Sequence, residues 1–427
     1  MRASATLMGI LALFLVSCGL EPQVKITKKE ELDRLRDSSS EAPVIRLVNF
    51  LISKAVETRA SDIHIEPMDG DVRIRYRIDG VLHEAEAPPE SLRQSIVSRV
   101  KVMAKLDIAE RRLAQDGRIR IAVRGQEIDL RVSTNPTIHG EGVVLRVLDR
   151  GNLKLDFTAL GFDEAPLARY RSVLQRPHGI MLVTGPTGSG KTTTLYASLL
   201  ELNTSESKIL TVEDPVEYQL RGVNQLQVKP QIGLTFANAL RSFLRQDPDI
   251  MMVGEIRDLE TAQIAVQAAL TGHLILSTLH TNDAPSAVTR LLDMGVDDYL
   301  ITSTVNGILG QRLVRTLCPA CKQAYEASPE LIARVGLDQL SAEGVRLYRA
   351  CGCPECAGTG YRGRSSIVEL LVVSDPIRQL ILQRADASVI REKAVEEGME
   401  TMYDNGLRKA LAGITTVEEV HRVTRGA

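Results

Sequence analysis

A chain of 427 residues is longer than one hydrophobic core organises, so two or three domains are expected. With 44% hydrophobic and 25% charged residues the composition is that of a globular protein with enough apolar material for a sizeable core. A net charge of −2, no Trp and only 4% aromatic residues supply neither the positive field nor the stacking platforms of a nucleic-acid binder, so no nucleic-acid partner is expected.

Residues 1–20 read as a signal-like hydrophobic segment. A lone Arg2 precedes an apolar stretch from Leu7 to Val16, and Leu15-Val16-Ser17-Cys18 has the form of a bacterial lipoprotein signal with its lipidated cysteine. The stretch is too short for a spanning helix. Taken literally, it would carry the chain out of the cytoplasm into oxidising surroundings. The remainder of the chain points to the cytoplasm, so a misassigned start or a foreign N-terminal graft is favoured over export. Residues 21–41 are polar, with Lys28-Lys29-Glu30-Glu31 and Ser38-Ser39-Ser40, and read as a linker or a frayed helix.

Residues 42–150 carry a mixed pattern. Val44, Leu47, Val48, Leu51, Ile52 and Ala55 have helical spacing. The alternation at 62–66 and 72–78 predicts half-exposed strands, the second closed by Asp79-Gly80, and further strands are expected at 117–123, 127–132 and 142–148. This is a small α+β domain with a basic strand face. For Arg73, Arg75 and Arg77 a solvated face is the usual explanation.

From 151 to 317 strand-like apolar runs alternate with helical stretches, which predicts a parallel sheet covered by helices on both faces. Ligands of such a sheet lie beyond the carboxyl ends of its strands. After the apolar run 179–183 comes Gly185-Pro186-Thr187-Gly188-Ser189-Gly190-Lys191-Thr192, followed by Thr193 and a helical stretch. It fits the phosphate-loop pattern at every fixed position. A glycine-rich turn opening a helix presents successive N–H groups and a positive dipole end to a polyphosphate. Lys191 would reach the β/γ-phosphates of ATP and the Thr192 hydroxyl would hold Mg²⁺. A chance glycine turn is the alternative.

The polar clusters that end the neighbouring runs supply the catalytic candidates. Glu213-Asp214-Pro215-Val216-Glu217 follows 209–212, and Gly254-Glu255 follows 250–253. Gly254 stands where the usual acidic residue closes such a strand, which makes Glu255 a candidate for polarising the attacking water. A helix N-cap or first-turn charge is the alternative for each acid. His273 and His280 flank the run 274–277, and Arg241, Arg245 and Arg257 bracket the second acidic run. Phosphoryl transfer needs extra positive charge, often from a neighbouring subunit.

In residues 318–364, Cys318-Pro319-Ala320-Cys321 and Cys353-Pro354-Glu355-Cys356 form two C-x-x-C knuckles, together a tetrahedral Zn²⁺ site. The gap between them exceeds the commonest spacing and contains a possible helical stretch at 329–344. Cys351 is a further thiol able to compete as ligand, and disulfides or unpaired structural cysteines are the alternatives to zinc.

Ser61-Asp62-Ile63-His64-Ile65-Glu66-Pro67, Gln115-Asp116-Gly117-Arg118-Ile119, the phosphate loop, Glu213-Asp214-Pro215, Arg245-Gln246-Asp247-Pro248-Asp249, Gly254-Glu255-Ile256-Arg257-Asp258, Leu276-Ser277-Thr278-Leu279-His280-Thr281-Asn282 and Gly360-Tyr361-Arg362-Gly363-Arg364 together carry a resemblance. From about Ala42 to Ala427 the chain resembles the ATPases of type II secretion systems, general secretion pathway protein E, and the related type IV pilus assembly ATPases. The resemblance implies a hexameric motor: a small N-terminal α+β domain hinged near 150–160 to a RecA-like α/β ATPase core, a four-cysteine zinc module, and a helical C-terminal part at 365–427. It places Lys191 and Thr192 in Walker A, Glu213 to Glu217 in the Asp box, Glu255 in Walker B and His273 to His280 in the His box. Arg131 and Arg146 fall where such motors supply arginines to nucleotide across a domain or subunit boundary. The cysteines favour the secretion and pilus-extension branches over the retraction ATPases.

The implied activity is ATP hydrolysis driving pseudopilus assembly and protein export, on the cytoplasmic side and peripheral to the inner membrane. Its implied partners are the platform and cytoplasmic-domain proteins of the apparatus. Secretion ATPases usually carry a further N-terminal docking domain; here the signal-like segment and linker stand before the small domain. Alternatives are a pilus-extension motor and a non-hydrolysing scaffold.

Overall fold

The computed structural model describes residues 41–148, 155–337 and 345–425, with side chains from residue 43 onward. The signal-like segment, Cys18, the linker up to residue 40 and the first part of the expected hinge lie outside the described residues. Among the described residues no helix is long and apolar enough to cross a membrane. The chain forms two compact units. One comprises the described residues up to 148 together with Leu317–Ala324 and Arg349–Gly363; the other holds the remainder.

In the first unit the helix α1 (Glu41–Glu57) buries Leu47, Val48, Leu51, Ile52 and Ala55, the stripe that the spacing foretold. It packs on strands β1 (Ala60–Met68), β2 (Asp71–Ile78), β3 (Val81–Ala85), β4 (Gln115–Val123), β5 (Gln126–Thr137) and β6 (Gly140–Leu148). These form one sheet in the order β3-β2-β1-β6-β5-β4. The period of two in β2 sends Val72, Ile74, Tyr76 and Ile78 into the core and Arg73, Arg75 and Arg77 to the other face. Arg75 is paired with Glu66 at 2.7 Å and Arg73 with Glu84 at 3.1 Å, as on a solvated face.

A second helix, α2 (Arg93–Ala104), covers the same core with Ile96, Val97, Val100 and Ala104. Its Lys101 is 1% exposed, yet the ammonium is paired with Glu141 and donates to the Glu110 carbonyl at 2.7 Å. Such a buried charge is tolerable only because it is paired and hydrogen-bonded.

The second unit is built on a seven-stranded sheet. After α3 (Glu164–Leu174) come β7 (Gly179–Thr184), α4 (Lys191–Leu202), β8 (Ile209–Glu213), β9 (Asn224–Gln227), α5 (Phe236–Phe243), β10 (Ile250–Val253), α6 (Leu259–Leu270) and β11 (Leu274–Leu279). Then follow α7 (Ala284–Asp293), α8 (Asp298–Thr304), β12 (Val305–Leu317) and, later in the chain, β15 (Tyr361–Val372). The strand order is β15-β12-β7-β11-β10-β8-β9, with β12, β7, β11, β10, β8 and β9 joined by parallel pairings.

Both faces of this sheet are covered, which explains the predominantly apolar, fully buried runs in its central strands. Ile180, Leu182, Val212, Met251, Val253 and Ile275 face a core shared with α5, α6 and α7. Met181, Val183, Ile209, Met252, Leu274 and Leu276 face the opposite core, shared with α3 and α4. The α/β architecture expected from the sequence is therefore the one found.

Between β12 and β15 lie β13 (Gln323–Glu326), α9 (Pro329–Val335) and β14 (Arg346–Arg349), with β13 and β14 paired. The helical stretch expected at 329–344 is realised as this short helix, and 338–344 lies outside the described residues. The chain closes with α10 (Asp375–Leu382), α11 (Ala387–Glu396), α12 (Met402–Leu411) and α13 (Val417–Thr424). Glu419 of α13 accepts from the Arg315 backbone N–H at 3.0 Å and from its guanidinium at 2.9 Å, which ties the last helix to β12.

Candidate functional site

The loop between β7 and α4 has the backbone that its glycines permit. Gly185, Gly188 and Gly190 have φ of 150°, 80° and 90°. A Cβ on Gly185 would lie 2.3 Å from the Gln311 carbonyl oxygen, so the close approach of β12 requires glycine there. Lys191 is 8% exposed, and its ammonium donates to the Gly185 and Pro186 carbonyls at 2.7 and 3.0 Å. Burial brings it down to about 8, while Glu255 acts in the opposite sense. Thr192 and Thr193 follow in the first turn of α4, Thr192 exposed. Ser189 Oγ is buried without a protein partner, an orphaned polar atom in a glycine-rich loop that opens a helix. This donor set fits a polyphosphate.

Glu255 lies just beyond β10, its side chain 16% exposed. One carboxylate oxygen is paired with the Arg257 guanidinium and the other lies 3.4 Å from His280 Nε2. Burial and then Lys191 lower the His280 imidazole, so at neutral pH it is a neutral ring. Three segments of one sheet thus bring Lys191, Glu255, Arg257 and His280 together at the carboxyl ends of β7, β10 and β11.

Residues that sequence reading passed over hold this geometry. Ser277 donates to the Val253 carbonyl at 2.8 Å and Thr278 to the Gly254 carbonyl at 2.7 Å, fixing the turn that carries Glu255 against β11. Gln311, 1% exposed, accepts from Thr194 at 2.7 Å and supports α4. The only sequence signal for these was a polar residue inside an apolar run.

The other candidates are placed differently. His273 sits at the opposite end of β11, its Nδ1 2.9 Å from the Ala268 carbonyl, in the closing turn of α6. At about 3.3 Å per residue the strand separates it from His280 by roughly 20 Å. Arg241 pairs with Glu260 at 2.7 Å, and Arg245 donates to the Arg241 carbonyl. Arg131 and Arg146 lie in the first unit on adjacent strands, directly opposite one another.

Glu213 is 3% exposed, and its carboxylate is taken up by Tyr196 of α4, by Thr211 at 2.6 Å and by Gln225 at 3.0 Å. In this geometry Glu213 joins the phosphate-loop helix to β8. Tyr196→Phe removes one donor and leaves a buried carboxylate oxygen short of a partner. It is expected to destabilise the second unit by about 1–3 kcal/mol. Denaturant unfolding measures this, and an unchanged midpoint would show that the network carries no weight.

The four sulfurs of Cys318, Cys321, Cys353 and Cys356 lie within 4.8 Å of one another, and Cys351 is not among them. The distances are 3.8 Å for Cys318–Cys353, 3.9 Å for Cys321–Cys356 and 3.8 Å for Cys353–Cys356. A tetrahedral ion with Zn–S bonds of about 2.3 Å sets its sulfurs about 3.8 Å apart, so the donor set fits zinc. Backbone N–H groups of Cys353 and Gly360 donate to Cys356 Sγ at 3.1 and 3.2 Å. Burial acts to raise that thiol, but these bonds together with those from the Cys353 and Cys321 thiols outweigh it and bring the group down to about 7.

Residues 37–422 match the family described as Type II/IV secretion system protein. Over 93% of its length the chain is 62% identical to the type II secretion system protein E of Xanthomonas campestris pv. campestris, covering 70% of that protein. Over 93% of its length it is also 52% identical to the type IV pilus assembly ATPase PilB of Myxococcus xanthus, covering 71% of it. Among solved structures, the pilus retraction motor PilT with bound ADP superposes with a TM-score of 0.56 at 26% identity, over 88% of this chain and 96% of that one. With a phosphate-loop sequence, a buried lysine and the Glu255 carboxylate gathered at the carboxyl ends of a parallel sheet, the chain belongs to the type II/IV secretion system protein family and is one of its ATP-hydrolysing enzymes.

Proposed function

We propose that the chain works as a hexameric motor whose ATP hydrolysis drives pseudopilus assembly and protein export by a type II secretion system. The observation that carries this is the convergence of Lys191, Glu255 and His280 at one end of the sheet, in a chain 62% identical to a type II secretion system protein E. Identity to the pilus assembly ATPase is lower, at 52%, which ranks pilus extension second. Neighbouring genes for a secretin and pseudopilins, as opposed to pilins, distinguish the two. A non-hydrolysing scaffold is set aside, because the loop and Glu255 are intact in a member of an ATPase family.

In the proposed reaction the N–H groups of 185–193 and the Lys191 ammonium bind the β- and γ-phosphates. Thr192 would supply a hydroxyl ligand to Mg²⁺, which neutralises phosphate charge when bound. Glu255, oriented by Arg257 and His280, accepts a proton from the attacking water as its oxygen adds to the γ-phosphorus. The bond to the β-phosphate oxygen breaks, giving ADP and phosphate. Arg131 and Arg146 are the arginines that a neighbouring subunit brings to the transferred group, as the family resemblance implies. Cys318, Cys321, Cys353 and Cys356 would hold a structural Zn²⁺ that cross-links two distant stretches of chain. The motor would act in the cytoplasm, bound peripherally to the platform and cytoplasmic-domain proteins of the inner membrane.

A shared site makes activity depend on assembly. Specific activity should rise with protein concentration as rings form. Mixing an Arg146→Ala chain with a Lys191→Ala chain should restore part of the hydrolysis that each lacks, since mixed rings contain interfaces with both groups intact. Activity per chain that stays flat from dilute to concentrated protein would reject the shared site. Failure of the mixture alone would reject only Arg146 as the donor in trans.

A further inference from the structure

The register of the first unit's sheet sets Arg77, Asp62, Arg146, Arg131 and Arg118 opposite one another on five consecutive strands, β2, β1, β6, β5 and β4. Directly opposed residues share one face of a sheet, and like charges so placed repel. Three adjacent arginines are therefore an arrangement that sheet stability disfavours, and Asp62 is the one carboxylate in the row. Its side chain is 6% exposed. Arg146 Nε donates to Oδ1 at 2.9 Å, the Ser61 hydroxyl donates to Oδ2 at 2.8 Å, and Arg77 Nε lies 3.6 Å from Oδ2. The Arg146 side chain itself is 61% exposed. Because Asp62 engages Nε, the two terminal nitrogens of Arg146 are left for a bidentate grip on a phosphate.

We infer that Asp62 is a positioning residue for ATP hydrolysis: its buried carboxylate holds the Arg146 guanidinium in the orientation in which it meets the transferred phosphate. This rests on the reading of Arg146 as a nucleotide arginine. An exposed arginine on a flexible stem spends much of its time in other rotamers, and a fixed carboxylate at Nε selects one of them. Held this way, Arg146 is placed to meet the charge that spreads over the transferred phosphate in the transition state, so its orientation acts on kcat more than on KM.

The test is steady-state ATP hydrolysis by the full chain at concentrations where activity per chain has reached its plateau. Asp62→Asn keeps the shape and removes the charge; kcat is expected to fall between about 10- and 100-fold with KM for ATP little changed. Asp62→Glu keeps the charge and is expected to recover part of that loss. On an Arg146→Ala background, Asp62→Asn is expected to cost nothing further. If Arg146→Ala is strongly impaired while Asp62→Asn keeps the wild-type kcat, the inference about Asp62 is wrong and the reading of Arg146 stands. A wild-type kcat in Arg146→Ala overturns that reading and the inference with it. Additive losses in the double variant, or equal losses in Asp62→Asn and Asp62→Glu, show an effect that does not pass through Arg146 and also overturn it.

Discussion

Glu255→Gln is expected to leave ATP bound and almost uncleaved, whereas Lys191→Ala is expected to abolish hydrolysis by weakening the hold on the phosphates. The two variants separate because the side chains act at different moments. Lys191 is a buried cation whose charge is costly to hold in the free protein, since burial outweighs the pull of Glu255 and brings it down to about 8. An incoming polyphosphate repays that cost, so the lysine contributes to binding and to the transition state together. Glu255 is an acceptor already oriented by Arg257 and His280. Its amide has the same shape but accepts a proton far less readily, so kcat falls while nucleotide affinity is kept. Loss of a general base typically costs about 10²–10⁴ in rate. Equilibrium binding of a fluorescent ATP analogue, measured beside phosphate release, distinguishes the two. Wild-type turnover in Glu255→Gln would remove Glu255 from the reaction.

The parts of this site that could be read from the chain are those set by local rules. The strands at 180–184, 209–212, 250–253 and 274–277 are buried throughout and mostly apolar because both faces of the sheet are covered, and such runs stand out without alignment or alternation. The phosphate loop is legible because only glycine tolerates its backbone, and Glu255 because it follows such a strand directly. Strand polarity also favours His280 over His273, since ligands lie beyond carboxyl ends. What stayed hidden depends on partners far along the chain. Nothing near Glu213 announces that Tyr196 and Gln225 occupy its carboxylate. Helix α2 was passed over because Arg93, Arg99 and Lys101 interrupt its apolar stripe, and Lys101 is buried only through pairing with Glu141. Strand β12 carries Asn306, Gly307, Gly310 and Gln311, residues that read as a break until Leu371 and Glu369 of β15 are seen to pack directly against the two glycines.

Cys318→Ser or Cys353→Ser is expected to release a metal that the wild-type chain holds at about one Zn²⁺ per molecule, and to unfold the stretches around both cysteine pairs. The sulfurs come from two pairs far apart in sequence, all within 4.8 Å of one another, and three of their separations, at 3.8 to 3.9 Å, match the edges of a tetrahedral ion. Without an ion, four thiols at this spacing gain little from one another, and a thiolate among them repels the next. With an ion, the site contributes folding energy outright, on the order of 10 kcal/mol for an isolated zinc module. The loss should appear as a lower unfolding temperature and as protease cleavage within Leu317–Ala324 and Arg349–Gly363, the stretches that carry the ligands. Nucleotide binding should persist, because Lys191 and its loop are held by β7, β12 and α4 and make no use of the cysteines. Cys351→Ser is the control. Its sulfur lies outside the cluster, so metal content and unfolding temperature should stay at wild-type values. Elemental analysis of the purified chain, before and after a strong chelator, decides the matter: a metal-free protein with reduced cysteines and an unchanged unfolding temperature would show that these four sulfurs are packed together for some other reason.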